Sequence, residues 1–255
     1  METHEILDRL ELLYPKSSFL SDLRKAVVSK DQYALFRIIQ GKKDTAIIEA
    51  LRKLKNNDVF DKDCISRGQI QSKLWLIKEL QKIDYDLGVV FLCAGWYCTL
   101  ATMLFESKIK VDKIRSFDID ESCINIAETF NKPWVIDNWK FKAIKQDIMD
   151  INYDTHVWQS WSNKNNTMSG PITDSPDTII NTSCEHIHNF DKWYEKIPNG
   201  KLVILQINDF FELEEHVNCV KDLKEFENIS PFSTLLYEGE LQLEKYKRFM
   251  RIGVK

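Results

Sequence analysis

Residues 89–106, VVFLCAGWYCTLATMLFE, decide the fold. Val89, Val90, Phe91 and Leu92 are a continuous apolar run of β-formers, which reads as a buried strand. Cys93-Ala94-Gly95 is a small-residue turn. A helix then begins near residues 97–99, with Leu100, Met103 and Leu104 on one face. A strand that runs through a tight turn into a helix is expected to aim free backbone N–H groups at whatever sits above the sheet edge. The next strand, residues 113–117, ends at Asp118. Asp118 lies 23 residues beyond Gly95, close to the roughly 20-residue interval expected for an acid on a ribose hydroxyl. The pair predicts a nucleoside-containing ligand across the first two strands.

The rest of the chain continues this alternation. Residues 121–130 read as a helix with Ile124, Ala127 and Phe130 buried, and residues 140–145 as a third strand ending in Gln146-Asp147-Ile148. Residues 153–176 are polar and irregular, and their length implies a functional loop. Its Trp158 and Trp161 suit either a lid or an anchor to the body. Residues 177–181 form a fourth strand, followed by the densest polar cluster of the chain, from Asn181 to His188. A fifth strand spans residues 201–208 after the Asn199-Gly200 turn. Leu213, Val217, Val220 and Leu223 predict a helix over 212–226, and residues 235–243 and 247–254 read as two closing strands.

Upstream, residues 1–83 read as helices alone. Ile6, Leu7, Leu10 and Leu13 mark the first, stopped by Pro15. Leu20, Leu23 and Val27 mark the second. Tyr33 and Phe36 mark a third, residues 44–55 a fourth, and residues 66–82 a fifth. This gives two parts: a helical cap over 1–65 and an α/β part over 66–255. In the fifth helix Arg67, Gln69 and Lys73 either reach over the ligand or form a solvated face.

In the order of these elements, residues 69–255 resemble the class I S-adenosylmethionine-dependent methyltransferases. That family's first motif is an acid followed by three alternating glycines. Gly95 stands at the middle glycine, Cys93 and Tyr97 where the outer two are expected, and Leu92 or Phe91 near the acid. The resemblance implies a Rossmann-like, mostly parallel sheet with a closing antiparallel hairpin, and S-adenosyl-L-methionine as cofactor. It implies cofactor contacts from Cys93, Ala94, Gly95, Trp96, Tyr97, Asp118, Ile119, Asp147, Ile148 and Asn181. Asp147 would accept from the adenine amino group and Ile148 would cover the ring. The end of the fourth strand would lie by the methyl group, with Asn181, Glu185 and His186 as catalytic candidates. Methyl transfer needs alignment and, for some acceptors, removal of a proton. The bland alternative is that Glu185 and His186 merely start a helix.

The expected activity is methyl transfer to a small molecule or a protein side chain. One variant is aminocarboxypropyl transfer from the same cofactor, as in nicotianamine synthase, which shares a degenerate glycine turn and a helical N-terminal region. A nucleic-acid substrate is disfavoured by the net charge of −4 and by the lack of a proline and an aromatic residue after Asn181. A non-catalytic binding module is the reading that two absent glycines favour. No metal is expected: Cys184, His186 and His188 alternate around Glu185, but no second ligand pair stands at zinc-like spacing. Scattered cysteines, no secretory signal and no apolar run near the roughly 20 residues of a membrane span predict a cytoplasmic protein with reduced thiols.

Overall fold

A computed structural model of the chain describes residues 3–30, 60–162 and 166–255. The helices expected around Tyr33 and Phe36 and over residues 44–55 lie outside these. Two N-terminal helices, Thr3–Leu13 and Ser18–Val28, precede a long helix, Arg67–Ile83. Ser66 caps the last of these, its Oγ accepting from Gln69 N at 3.3 Å.

The strands in chain order are β1 (Val89–Cys93), β2 (Lys113–Asp118), β3 (Phe141–Lys145), β4 (His156–Trp158), β5 (Trp161–Ser162), β6 (Thr167–Met168), β7 (Ile172–Asp174), β8 (Thr178–Asn181), β9 (Leu202–Asn208), β10 (Thr234–Gln242) and β11 (Lys247–Val254). Seven build one sheet in the order β10-β11-β9-β8-β1-β2-β3. β3, β2, β1, β8 and β9 run parallel, while β11 and β10 are antiparallel additions. This is a Rossmann-like methyltransferase sheet with its closing hairpin. The chain steps from β1 outward to β3 and then back across to β8, so the order reverses between β1 and β8. A crevice opens at the carboxyl end of that pair.

The central strands β1, β8 and β9 are almost wholly buried because helices cover both faces of the sheet. Successive side chains alternate between faces. Val90 and Leu92 pack with Ile114, Ile180 and Ile204 under the helices Arg67–Ile83, Thr99–Glu106 and Glu121–Phe130. Phe91 and Cys93 pack with Phe117, Ile179 and Leu205 under the helices Phe190–Lys196 and Leu223–Ile229. Leu7, Leu10, Leu13 and Phe19 of the N-terminal helices belong to the first of these cores. Tyr14 adds a hydrogen bond to Phe130 O at 2.9 Å.

Two stretches differ from the sequence expectation. The described residues of 153–176 are not wholly irregular. They include two antiparallel pairs, β4 with β7 and β5 with β6. The cause is a buried ion pair: Arg115 Nε on β2 donates to Asp174 Oδ2 at 2.6 Å, and Trp158 Nε1 donates to the same oxygen at 2.6 Å. Trp158 therefore anchors, whereas Trp161 is exposed. The helix expected over 212–226 is reduced to Leu223–Ile229, capped by Asp222. Residues 211–220 are turns, with Leu213 and Val217 exposed. Their apolar spacing matches a helix, but side chains compete for the backbone. Asn208 Oδ1 accepts from Phe210 N, and Asn218 donates to Cys184 O and to Glu185 O.

Candidate active site

A cavity of about 1490 Å³ opens at the carboxyl end of the sheet. Four separate turns line it: Ala94 and Trp96 after β1, Asp118 and Ile119 after β2, Asp147 and Ile148 after β3, and Glu185 and His186 after β8. Of the residues expected at the site, these eight line it. Cys93, Gly95, Tyr97 and Asn181 do not line it. Cys93 and Asn181 end their strands fully buried, and Tyr97 is 3% exposed.

The first turn works differently from its glycine pattern. Ala94, Trp96 and Cys98 adopt left-handed backbone, with φ of 51°, 49° and 55°. Each such non-glycine position is strained by about 1–3 kcal/mol, a cost met mostly at functional sites. The strained positions fall one residue after those where glycines were expected. Gly95 itself answers a close approach: a Cβ there would lie 2.0 Å from Ser116 Oγ. Nor are the turn's N–H groups free. Gly95 N donates to Phe117 O at 3.2 Å, Cys98 N to Gly95 O at 2.8 Å, and Trp96 N to Asp118 Oδ2 at 2.8 Å. Tyr97 braces the turn from behind. It stacks between Trp96 and Phe60, at 4.8 and 5.4 Å, and its hydroxyl accepts from Asp61 N. Trp96 thus lies against Tyr97 and leaves the cavity open.

Asp118 is half-buried. Besides the Trp96 bond, its Oδ1 accepts from Asp120 N at 3.0 Å. Burial raises its pKa, and the two backbone donors oppose that rise. Each oxygen keeps a further lone pair for a ligand hydroxyl. Asp147 caps the short turn Ile148–Asp150 through Met149 N at 2.8 Å, with Ile148 beside it.

Across the cavity, Glu185 is 2% exposed. Its Oε1 accepts from Asn208 Nδ2 at 2.7 Å and from Arg248 Nη2 at 2.8 Å. Arg248 Nη1 also holds Thr182 O at 2.8 Å. Asn181 supports the turn from below, its Oδ1 accepting from Ser183 N at 2.8 Å. Arg67 and Gln69 line the cavity, and Lys73 lies buried behind them with Nζ donating to Gln69 Oε1 at 2.5 Å. Burial first, and then the Arg248 guanidinium, pull the Lys73 pKa down to about 8. Sequence reasoning missed Arg248, Asn208 and His216, which reach the site from β11, from β9 and from the loop after β9. No described residue of the 153–176 stretch lines the cavity.

Comparison with solved structures places the fold. The chain is similar to magnesium protoporphyrin IX methyltransferase from Synechocystis with bound S-adenosylmethionine, at 12% identity and a TM-score of 0.51, over 82% of this chain and 90% of that one. It is similar to the N-methyltransferase NodS from Bradyrhizobium japonicum in complex with S-adenosyl-L-homocysteine, at 9% identity and a TM-score of 0.51, over 82% and 99%. A third similar structure is the YcgJ protein from Bacillus subtilis, at 11% identity and a TM-score of 0.50, over 72% and 98%. No protein-family model matches the chain, and no curated protein matches it. The fold is that of the class I S-adenosylmethionine-dependent methyltransferases.

Proposed function

We propose that the chain is an S-adenosyl-L-methionine-dependent methyltransferase acting on a small molecule or a protein side chain. The observation that carries this reading is the convergence of four turns, distant in sequence, on one cavity, with the Asp118 carboxylate held beside the strained turn. The cavity exceeds the roughly 300–1,000 Å³ of a usual small-molecule site, which gives room for a cofactor and an acceptor together. Its acidic lining, with Asp118, Asp120 and Asp147 on one side, suits a ligand carrying an ammonium and a sulfonium.

When bound, the cofactor supplies a methyl group already activated by positive sulfur. The chain's part is to hold and align. Asp118 would accept from the ribose hydroxyls and Asp147 from the adenine amino group, and Ile119 and Ile148 would supply apolar cover for the ring. Ala94 and Trp96 form the floor, and Cys93, Gly95 and Tyr97 shape that floor from behind. On the acceptor side, His186 stands exposed in the wall. Glu185 fixes that turn through Asn208 and Arg248, and Asn181 props it through Ser183.

Calorimetric titration with S-adenosylhomocysteine tests this. The chain should bind it, and Asp118→Ala should weaken binding by at least about 10-fold, since a hydrogen bond to a charged group contributes about 1.5–3 kcal/mol. Absence of binding by both S-adenosylmethionine and S-adenosylhomocysteine would end the reading.

A further inference from the structure

One group of side chains in the cavity wall has no part in holding the cofactor. Glu185, His186 and His216 each bring one donor atom to within 4.8 Å of the other two. From their arrangement we propose a site for a divalent transition-metal ion of the zinc type, with its open coordination position facing the acceptor.

The two imidazoles are already oriented for it. His186 Nδ1 lies 3.2 Å from Glu215 O, and His216 Nδ1 lies 2.7 Å from Phe210 O. A carbonyl oxygen only accepts, so both rings carry their proton on Nδ1 and leave the Nε2 lone pair free. A hydrogen bond from the far ring nitrogen to a carbonyl is the outer-shell arrangement that orients metal-binding histidines. The rings stand 4.7 Å apart at 83°, so they are not stacked on one another.

The carboxylate supplies an independent observation. Glu185 Oε1 is saturated by Asn208 and Arg248, but Oε2 is buried and has no hydrogen-bond partner among the described residues. A buried carboxylate oxygen left bare is costly, and a cation in front of it removes that cost.

Two imidazole nitrogens and one carboxylate oxygen suit zinc and its first-row neighbours rather than calcium or magnesium, which take oxygen ligands. A tetrahedral ion with bonds of about 2.1 Å sets its donors about 3.4 Å apart. The side chains therefore close by no more than about 1.4 Å, which is within reach of the exposed His186 ring. Three protein ligands leave a fourth position open, as in catalytic rather than structural zinc sites. Arg248 adds positive charge on the far side of Glu185, so the fourth ligand is best an anionic oxygen. This points to an acceptor bearing a hydroxyl or carboxylate. Sequence spacing hid the site because His216 comes from the loop read as a helix face.

The metal site stands without the methyltransferase reading, its link to an acceptor rests on that reading, and its test needs no turnover. The full chain, stripped with a chelator and dialysed, is titrated with zinc chloride by calorimetry, and bound metal is counted by elemental mass spectrometry. One zinc per chain is expected. His186→Ala and His216→Ala should each weaken it by at least about 100-fold, since even outer-shell partners are worth about 10–100-fold. The double variant should bind none at the same concentration, with an unchanged melting profile. Cobalt(II) loading should give the relatively intense visible bands of a tetrahedral ion without a near-ultraviolet thiolate band. Failure of the wild-type chain to take up zinc, or zinc bound equally by the double variant, overturns the site. So does a strong thiolate band, which would move the ion to a cysteine such as Cys219. S-adenosylhomocysteine titrated in parallel reports on the cofactor alone, so either reading fails by itself.

Discussion

Replacing Gly95 with alanine tests the account of the β1 turn. The new Cβ would stand 2.0 Å from Ser116 Oγ, with Cys98 Sγ at 3.2 Å and Leu92 Cγ at 3.4 Å. The last two distances are tolerable, so the penalty comes from the serine hydroxyl. That hydroxyl accepts from Cys98 Sγ at 2.8 Å, and Ser116 itself is buried. Overpacking of this kind costs about 1–3 kcal/mol. Because the φ of Gly95 lies outside the left-handed region, alanine also gains about 0.4–1 kcal/mol by restricting the unfolded chain. The clash wins, leaving about 1–2 kcal/mol of net destabilisation. In a chain of this size that is a fall in Tm of about 2–8 °C. A double-mutant cycle with Ser116→Ala, followed by thermal melting, isolates the effect. In the Ser116→Ala background the alanine at 95 should be close to neutral. If Gly95→Ala melts at or above the wild-type temperature, or if Ser116→Ala leaves its penalty untouched, the close-approach explanation is wrong.

Two further outcomes follow from buried charge. Asp174→Ala should cost about 3–5 kcal/mol in urea denaturation, because it leaves the Arg115 guanidinium unpaired in the interior, whereas the double change Arg115→Met with Asp174→Leu should recover most of that loss. For Lys73 the folded pKa, near 8, lies below the value of about 10.4 for an unperturbed lysine. Between those values the unfolded chain binds more protons, so this group makes the protein more stable as pH rises through the window. The buried thiols, pushed up by burial, act in the opposite sense. The informative quantity is therefore the stability of wild type minus that of Lys73→Met, which should grow from pH 8 to 10 and would be flat if Lys73 titrated normally.

Much of the fold could be read from residue order. The runs VVFLC and LVILQIN are largely apolar, the mark of strands with helices on both faces, whereas KIRSFD carries only Ile114 and Phe117 as apolar residues and buries Arg115 and Ser116 as well. Asp118, Asp147 and the Glu185-His186 pair stand just after strands, where parallel topology sends them all to the same edge. What stayed hidden depends on contacts across the fold. The demand for glycine at 95 comes from Ser116, a neighbour 21 positions away. Arg248 reaches Glu185 from β11, and no local pattern announces such a pairing. The loop over 211–220 carries helical spacing, yet its side chains are committed to Cys184 and Phe210.

The position of β11 bears on how the polypeptide is made. It is synthesised after the other six strands of its sheet, yet it is inserted between β9 and β10. Until it emerges, the largely apolar LVILQIN segment presents an open hydrogen-bonding edge on a nascent chain, the situation that favours pairing with a stranger. Slow release from the ribosome, or a translation stop before residue 247, should therefore drive this protein into aggregates rather than into a soluble fragment.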